Sequence, residues 1–151
     1  MITREEFLKK LVESQESLKR ARGEILQRFN EIENLVTAIL TAYYAKADKQ
    51  SEFTFNFLGD SSIPTSAKIN VLAKLPLIKS LQLCTNLKQM SNIRNNIVHS
   101  TPFGTEKQII NSKTGKPTKI EELEREFNKF YNVVAAELEK ILFDNFCNQK
   151  S

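Results

Sequence analysis

The sequence predicts an all-α protein: a four- to five-helix up-and-down bundle with a short β-hairpin or loop insertion before the last helix. Three observations point there. Apolar residues recur at helical spacing over three long stretches. Only four Gly and four Pro occur in 151 residues, too few for a loop-rich chain. No internal repeat, low-complexity tract or Gly-rich phosphate loop interrupts the pattern. The length fits one compact domain, residues 1–151.

The strongest periodic segment runs from Glu24 to about Ala47. Ile25, Phe29, Ile32, Val36, Ile39 and Tyr43 step by 4, 3, 4, 3 and 4, one face of a helix. A shorter amphipathic pattern, Phe7, Leu8, Leu11, Val12 and Leu18, precedes it. Gly23 either separates two helices or sits inside one long bent helix. Residues 48–65 lose the period and read as a loop whose Phe53, Phe55, Phe57 and Leu58 tuck onto the helices. Thr65 or Ser66 is a cap for a helix carrying Ile69, Leu72 and Leu75, with Pro76 ending or bending it. Leu77 to His99 is helical again through Leu83, Leu87, Met90, Ile93 and Ile97, and Pro102 and Gly104 end it. Residues 105–119 combine strand character at Gln108-Ile109-Ile110 with a turn signal at Ser112 to Pro117, a hairpin or a mobile loop. The final helix, about Ile120 to Cys147, opens on Glu121, Glu122 and Glu124, the acidic preference of a helix start rather than a catalytic carboxylate pair.

Composition narrows the function classes. The two cysteines, Cys84 and Cys147, lack CxxC spacing, and one histidine with two distant cysteines makes a poor zinc site. We expect no metal, no cofactor and no disulfide framework, which favours a reducing compartment. The first 18 residues are studded with Lys and Glu, unlike a signal peptide. The longest uncharged apolar stretch, Asn34 to Ala45, has 12 residues and is too short to span a bilayer. The expectation is a cytoplasmic protein without a membrane partner.

The net charge of +4 is unevenly spread. Residues 1–63 carry −1, residues 64–117 carry +7 and residues 118–151 carry −2. A basic middle third attracts polyanions such as RNA, with Lys88, Lys107, Lys113 and Lys116 the candidate nucleic-acid contacts. The same lysines also serve a solvated surface.

That third contains Arg94-Asn95-Asn96-Ile97-Val98-His99, with the only histidine of the chain. Histidine exchanges a proton near neutral pH. Arginine clamps a phosphate bidentately. On a helix Asn95 and His99 share a face, and Arg94 lies about 140° from His99 with a side chain long enough to reach the same edge. Metal-free RNA cleavage needs a base for the 2′-OH, a stabiliser of phosphorus charge and an acid for the leaving 5′-oxygen. One histidine does not easily fill both proton roles, so a two-fold dimer with a composite site is the economical arrangement. A histidine in the last turn of a helix also simply complements the helix dipole.

The Arg94-Asn95-x-x-x-His99 pattern near a helix end resembles the signature of the HEPN superfamily (higher eukaryotes and prokaryotes nucleotide-binding): Arg, four to six residues, then His, often with a polar residue after the Arg. The helical layout over residues of about 24–147 is similar as well. The resemblance implies a helical bundle, homodimerisation through the motif helices and, in many members, metal-independent endoribonuclease activity in toxins, RNA processing or anti-phage defence. It makes Arg94 and His99 the catalytic pair and Asn95 their polar support, and allows a protein antitoxin or other partner. Glu33, on a facing helix, is a candidate to orient Arg94. One departure is Thr101, where the toxin subgroup paired with nucleotidyltransferases carries Tyr. The alternative implied reading is a catalytically inactive HEPN-like module that binds RNA, nucleotide or a partner protein.

Overall fold

A computed structural model describes residues 1–60 and 62–148 and is mostly α-helical. Helix α1 spans Arg4–Tyr44, 41 residues in one piece. Its start is a capping box: Thr3 Oγ1 accepts from the Glu6 backbone N–H, and the Glu6 carboxylate accepts from the Thr3 N–H. Gly23 does not break it. A glycine inside a helix costs only about 1 kcal/mol, which the apolar stripe Leu18, Ala21, Ile25 and Phe29, buried on either side of it, outweighs.

A 3₁₀ turn at Ala47–Lys49, a single helical turn α2 at Gln50–Glu52 and a π-helical turn at Phe53–Leu58 follow. The expectation that all four apolar residues here tuck inward holds only for Leu58, which is buried, and Phe53, which packs on the core. Phe55 is 82% exposed and Phe57 53%. The π turn places side chains off helical spacing, so Phe55 and Phe57 leave the buried face; Phe57 stacks on Phe53 instead.

Helix α3 spans Thr65–Ala73. Neither Thr65 nor Ser66 caps it: Pro64 holds the cap position without a side-chain bond, and the Thr65 hydroxyl donates to the Glu33 carboxylate. Helix α4 spans Leu81–His99, four residues shorter than expected from Leu77. Leu77 and Ile78 instead pack from a turn closed by Ile78 N–H to Leu75 C=O, and Ser80 caps the helix by accepting from Leu83. The expected stripe of Leu83, Leu87, Met90, Ile93 and Ile97 is buried throughout.

The insertion starts at Thr101, directly after α4, rather than at residue 105. Strands β1 (Thr101–Phe103), β2 (Gln108–Ile110) and β3 (Pro117–Lys119) form an antiparallel sheet in the order β1-β2-β3. Thr101 pairs with Ile110 and Ile110 with Pro117, whereas Phe103 pairs with Gln108 and Gln108 with Lys119. Ile109 is fully buried and pins the sheet to the core. Helix α5 spans Ile120–Leu142 and ends in a π turn at Phe143–Cys147.

Polar contacts give the helix directions. Arg20 meets Glu124, Arg28 meets Asn128 and Glu31 meets Tyr131, so α1 and α5 run side by side in the same sense. Arg22 meets Ile97 and Ser100 while Phe29 meets Arg94, so α4 runs the opposite way. One core joins Ile25, Phe29 and Ile32 of α1 to Leu87 and Met90 of α4 and to Phe127 and Val134 of α5. The first two turns of α1 are exposed to solvent, and Phe7, Leu8 and, a turn later, Val12 are each about half exposed.

Candidate nucleic-acid interface at the end of helix α4

The Arg94–His99 hexapeptide forms the last two turns of α4. Its alternation of burial sorts the residues by role. Ile97 is fully buried and Asn96 nearly so, while Asn95 and His99 are exposed and Arg94 lies half-buried between. The exposed face continues up the helix through Asn92 and Lys88, three and seven residues before Asn95 on neighbouring azimuths. No carboxylate occurs from residue 61 to residue 105, so this face is cationic and neutral only.

Arg94 is held from two sides. Its guanidinium carbon sits 5.9 Å from the centre of the Phe29 ring, a cation–π contact, and Nη1 donates to Asn95 Oδ1 at 2.8 Å. Its Nε–H is buried and, among the described residues, has no hydrogen-bond partner. An unpaired buried N–H on a charged group is costly. None of the five ion pairs among the described residues involves Arg94 or the four candidate lysines. Glu33 does not orient Arg94: its carboxylate accepts from Thr65. The α1 residue facing Arg94 is Phe29, four positions earlier.

His99 closes α4 with its side chain in solvent, and among the described residues no group hydrogen-bonds its imidazole. The structure thus joins Arg94 to Asn95 and leaves His99 on the same face without a bond to either. Thr101 is exposed at the start of β1.

Two residues that sequence reasoning missed build this end of the helix. Arg22 of α1 donates from Nε to the Ile97 carbonyl at 2.9 Å and from Nη2 to the Ser100 carbonyl at 2.5 Å. It thereby satisfies carbonyls that a helix C-terminus leaves unpaired and sets a cation at the negative end of the helix dipole. Ser100 adds a bond from Oγ to the Ile97 carbonyl. Asn96 accepts through Oδ1 from both the backbone N–H (3.2 Å) and the hydroxyl (2.9 Å) of Ser112. No local signal marks either residue, because their partners lie 75, 78 and 16 positions away.

The candidate lysines do not form one cluster. Lys113 and Lys116 occupy the β2–β3 turn, at the sheet end where Thr101 leaves α4. Lys107 occupies the β1–β2 turn at the opposite end, where its carbonyl accepts from Ile120 at the start of α5. It adopts φ 53°, in the left-handed region, alongside Gly104 at φ 63°. Lys88 lies 11 residues before His99, about 16 Å up the helix.

Nothing else at this end supplies a ready-made catalytic group. Among the described residues no cluster of three or more His, Cys, Asp or Glu side chains is placed to hold a metal ion. Cys84 is buried within α4, and burial pushes its thiol pKa up; Cys147 is exposed, and the two are not bonded. A groove of about 1200 Å³ lies elsewhere, along the C-terminal half of α1, lined by Asn34, Thr37, Thr41, Thr54 and Phe55 among others. Among the described residues no helix is long and apolar enough to cross a membrane. No protein-family model, curated protein or solved structure matches this chain.

Proposed function

We propose that the chain is a HEPN-like endoribonuclease that acts as a homodimer without a metal ion. The observation that carries this reading is the end of α4: His99 and Asn95 exposed on one face, beside a half-buried Arg94 that Asn95 holds and that no ion pair among the described residues neutralises. A phosphate oxygen is the acceptor that such a guanidinium takes best. In the reaction, a His99 imidazole removes the proton of a ribose 2′-OH, and the resulting oxygen attacks the adjacent phosphorus. Arg94 stabilises the charge that builds on the phosphate oxygens, with Asn95 fixing its guanidinium. A second imidazole protonates the leaving 5′-oxygen. Each chain has one histidine, so the second comes from a two-fold copy, with the helices in the up-and-down order of a HEPN bundle. RNA processing, a toxin with a protein antitoxin, or anti-phage defence in the cytoplasm are settings that fit such a cleavage.

Cleavage of RNA in EDTA by wild type and by His99→Ala tests the reading. Wild type retains cleavage and His99→Ala loses at least about 100-fold. Undiminished cleavage by pure His99→Ala sinks the assignment, and loss of wild-type cleavage in EDTA replaces it with a metal mechanism.

The second reading is a HEPN-like module that binds RNA, nucleotide or a protein without turnover. The observation favouring it is that no described residue hydrogen-bonds His99, so nothing within one chain orients the imidazole. It predicts salt-sensitive RNA binding with no cleavage.

A further inference from the structure

Asn96 is a buried polar residue inside the motif for which the cleavage chemistry has no use. Its Oδ1 takes both bonds that Ser112 can donate, from the backbone and from the hydroxyl. Ser112 opens the β2–β3 turn, and that turn is tightly built. The Asn111 side chain accepts from the backbone of Lys113 and Thr114, its carbonyl accepts from Gly115 N–H, and its N–H donates to the Lys116 carbonyl. Gly115 takes φ 67°, which a residue with a Cβ reaches only at a cost. The outcome is a loop closed by its own hydrogen bonds, with Lys113 and Lys116 exposed on it. Its attachment point is three residues, or about 4.5 Å of helix, from His99.

We propose that Asn96 is a positioning residue that moors this turn so that Lys113 and Lys116 bind the RNA backbone beside His99. Lys107, at the other end of the sheet, takes no part. The inference rests on the ribonuclease reading and deepens it, since it names the element that holds the substrate next to the reacting phosphate. A surface lysine on an untethered loop loses side-chain and backbone freedom on binding, and the two Asn96 bonds remove much of that cost in advance.

A double-mutant cycle in a His99→Ala background tests it, with affinity for a fluorescein-labelled single-stranded RNA measured across a salt series. Lys113→Gln with Lys116→Gln should weaken binding roughly fivefold per lost contact at 0.1 M salt and flatten the salt slope by about 1.4. Asn96→Ala should give part of the same loss and add nothing once both lysines are gone. Ser112→Ala, in an exposed turn, removes one of the two bonds and should give a smaller loss with the same non-additivity; it decides the case if Asn96→Ala does not fold. Additive losses, which a merely structural role gives, overturn the proposal, as does an unchanged salt slope in the lysine variant. Cleavage by otherwise unaltered protein is read in parallel. Cleavage with an additive cycle overturns the mooring role alone; RNA binding without cleavage overturns the nuclease while the cycle still decides the mooring; no RNA binding overturns both.

Discussion

Two of the irregular segments between the helices are built on opposite principles. Residues 45–64 link α1 to α3, and residues 100–119 link α4 to α5. Each pins itself to the core with one buried aliphatic residue, Leu58 in the first and Ile109 in the second. Beyond that anchor they diverge. The first bonds mainly to the end of α1 and within itself, as in Thr41 with Thr54 and Gln50 with the Ala45 carbonyl, and leaves Phe55 and Phe57 in water. The second is tied to helices on three sides: Asn96 holds Ser112, Arg22 holds the Ser100 carbonyl and Lys107 accepts from Ile120. Exposed aromatic area and a sizeable groove sit at the first segment, and the bonded, cationic framework sits at the second. Chemistry that requires fixed geometry belongs with the framework.

The comparison breaks first at the two anchors. Ile109→Ala and Leu58→Ala should each destabilise the fold by about 2–5 kcal/mol, read by chemical denaturation. Only Ile109→Ala should also weaken RNA binding under conditions where both variants remain folded; equal binding losses would erase the distinction between the segments. A smaller effect comes from Arg22→Ala, which leaves the Ile97 and Ser100 carbonyls without their charged donor. It should cost about 1–3 kcal/mol, with loss of amide-exchange protection concentrated at the last turn of α4. Uniform protection across α4 would mean that Arg22 does not hold that end. The smallest effect is expected at Phe55→Ser: stability within about 0.5 kcal/mol and cleavage unchanged, measured by melting and by RNA turnover. A drop in turnover would move the functional surface to the first segment.

Much of the fold was legible because it is written in period. The α1 stripe from Ile25 to Ile39 and the α4 stripe fall on residues that are buried, although Tyr43 at the end of the first is exposed, and the turn at Ser112 to Pro117 announces itself in Lys-Thr-Gly-Lys-Pro. The start of α4 was not legible, since Leu77 and Ile78 continue the helical spacing from within a turn. The outward path of Phe55 and Phe57 depends on a π turn, which has no sequence signature of its own. At the candidate site, Arg94, Asn95 and His99 could be picked out by spacing along one helix. Arg22 and Asn96 could not, because each acts on a partner in another element. Glu33 was attached to Arg94 by topology alone, and a hydroxyl on α3 claims it instead.

The parallel run of α1 and α5 has a consequence for how the chain reaches this state. Arg20 meets Glu124 across 104 positions, and Glu31 meets Tyr131 across 100. Closing so long a loop has to precede any gain from those contacts, which slows folding relative to bundles built from neighbouring hairpins. During synthesis the part of the α1 stripe that packs on α5 waits for that helix to emerge, while α3 and α4 cover other parts of it earlier.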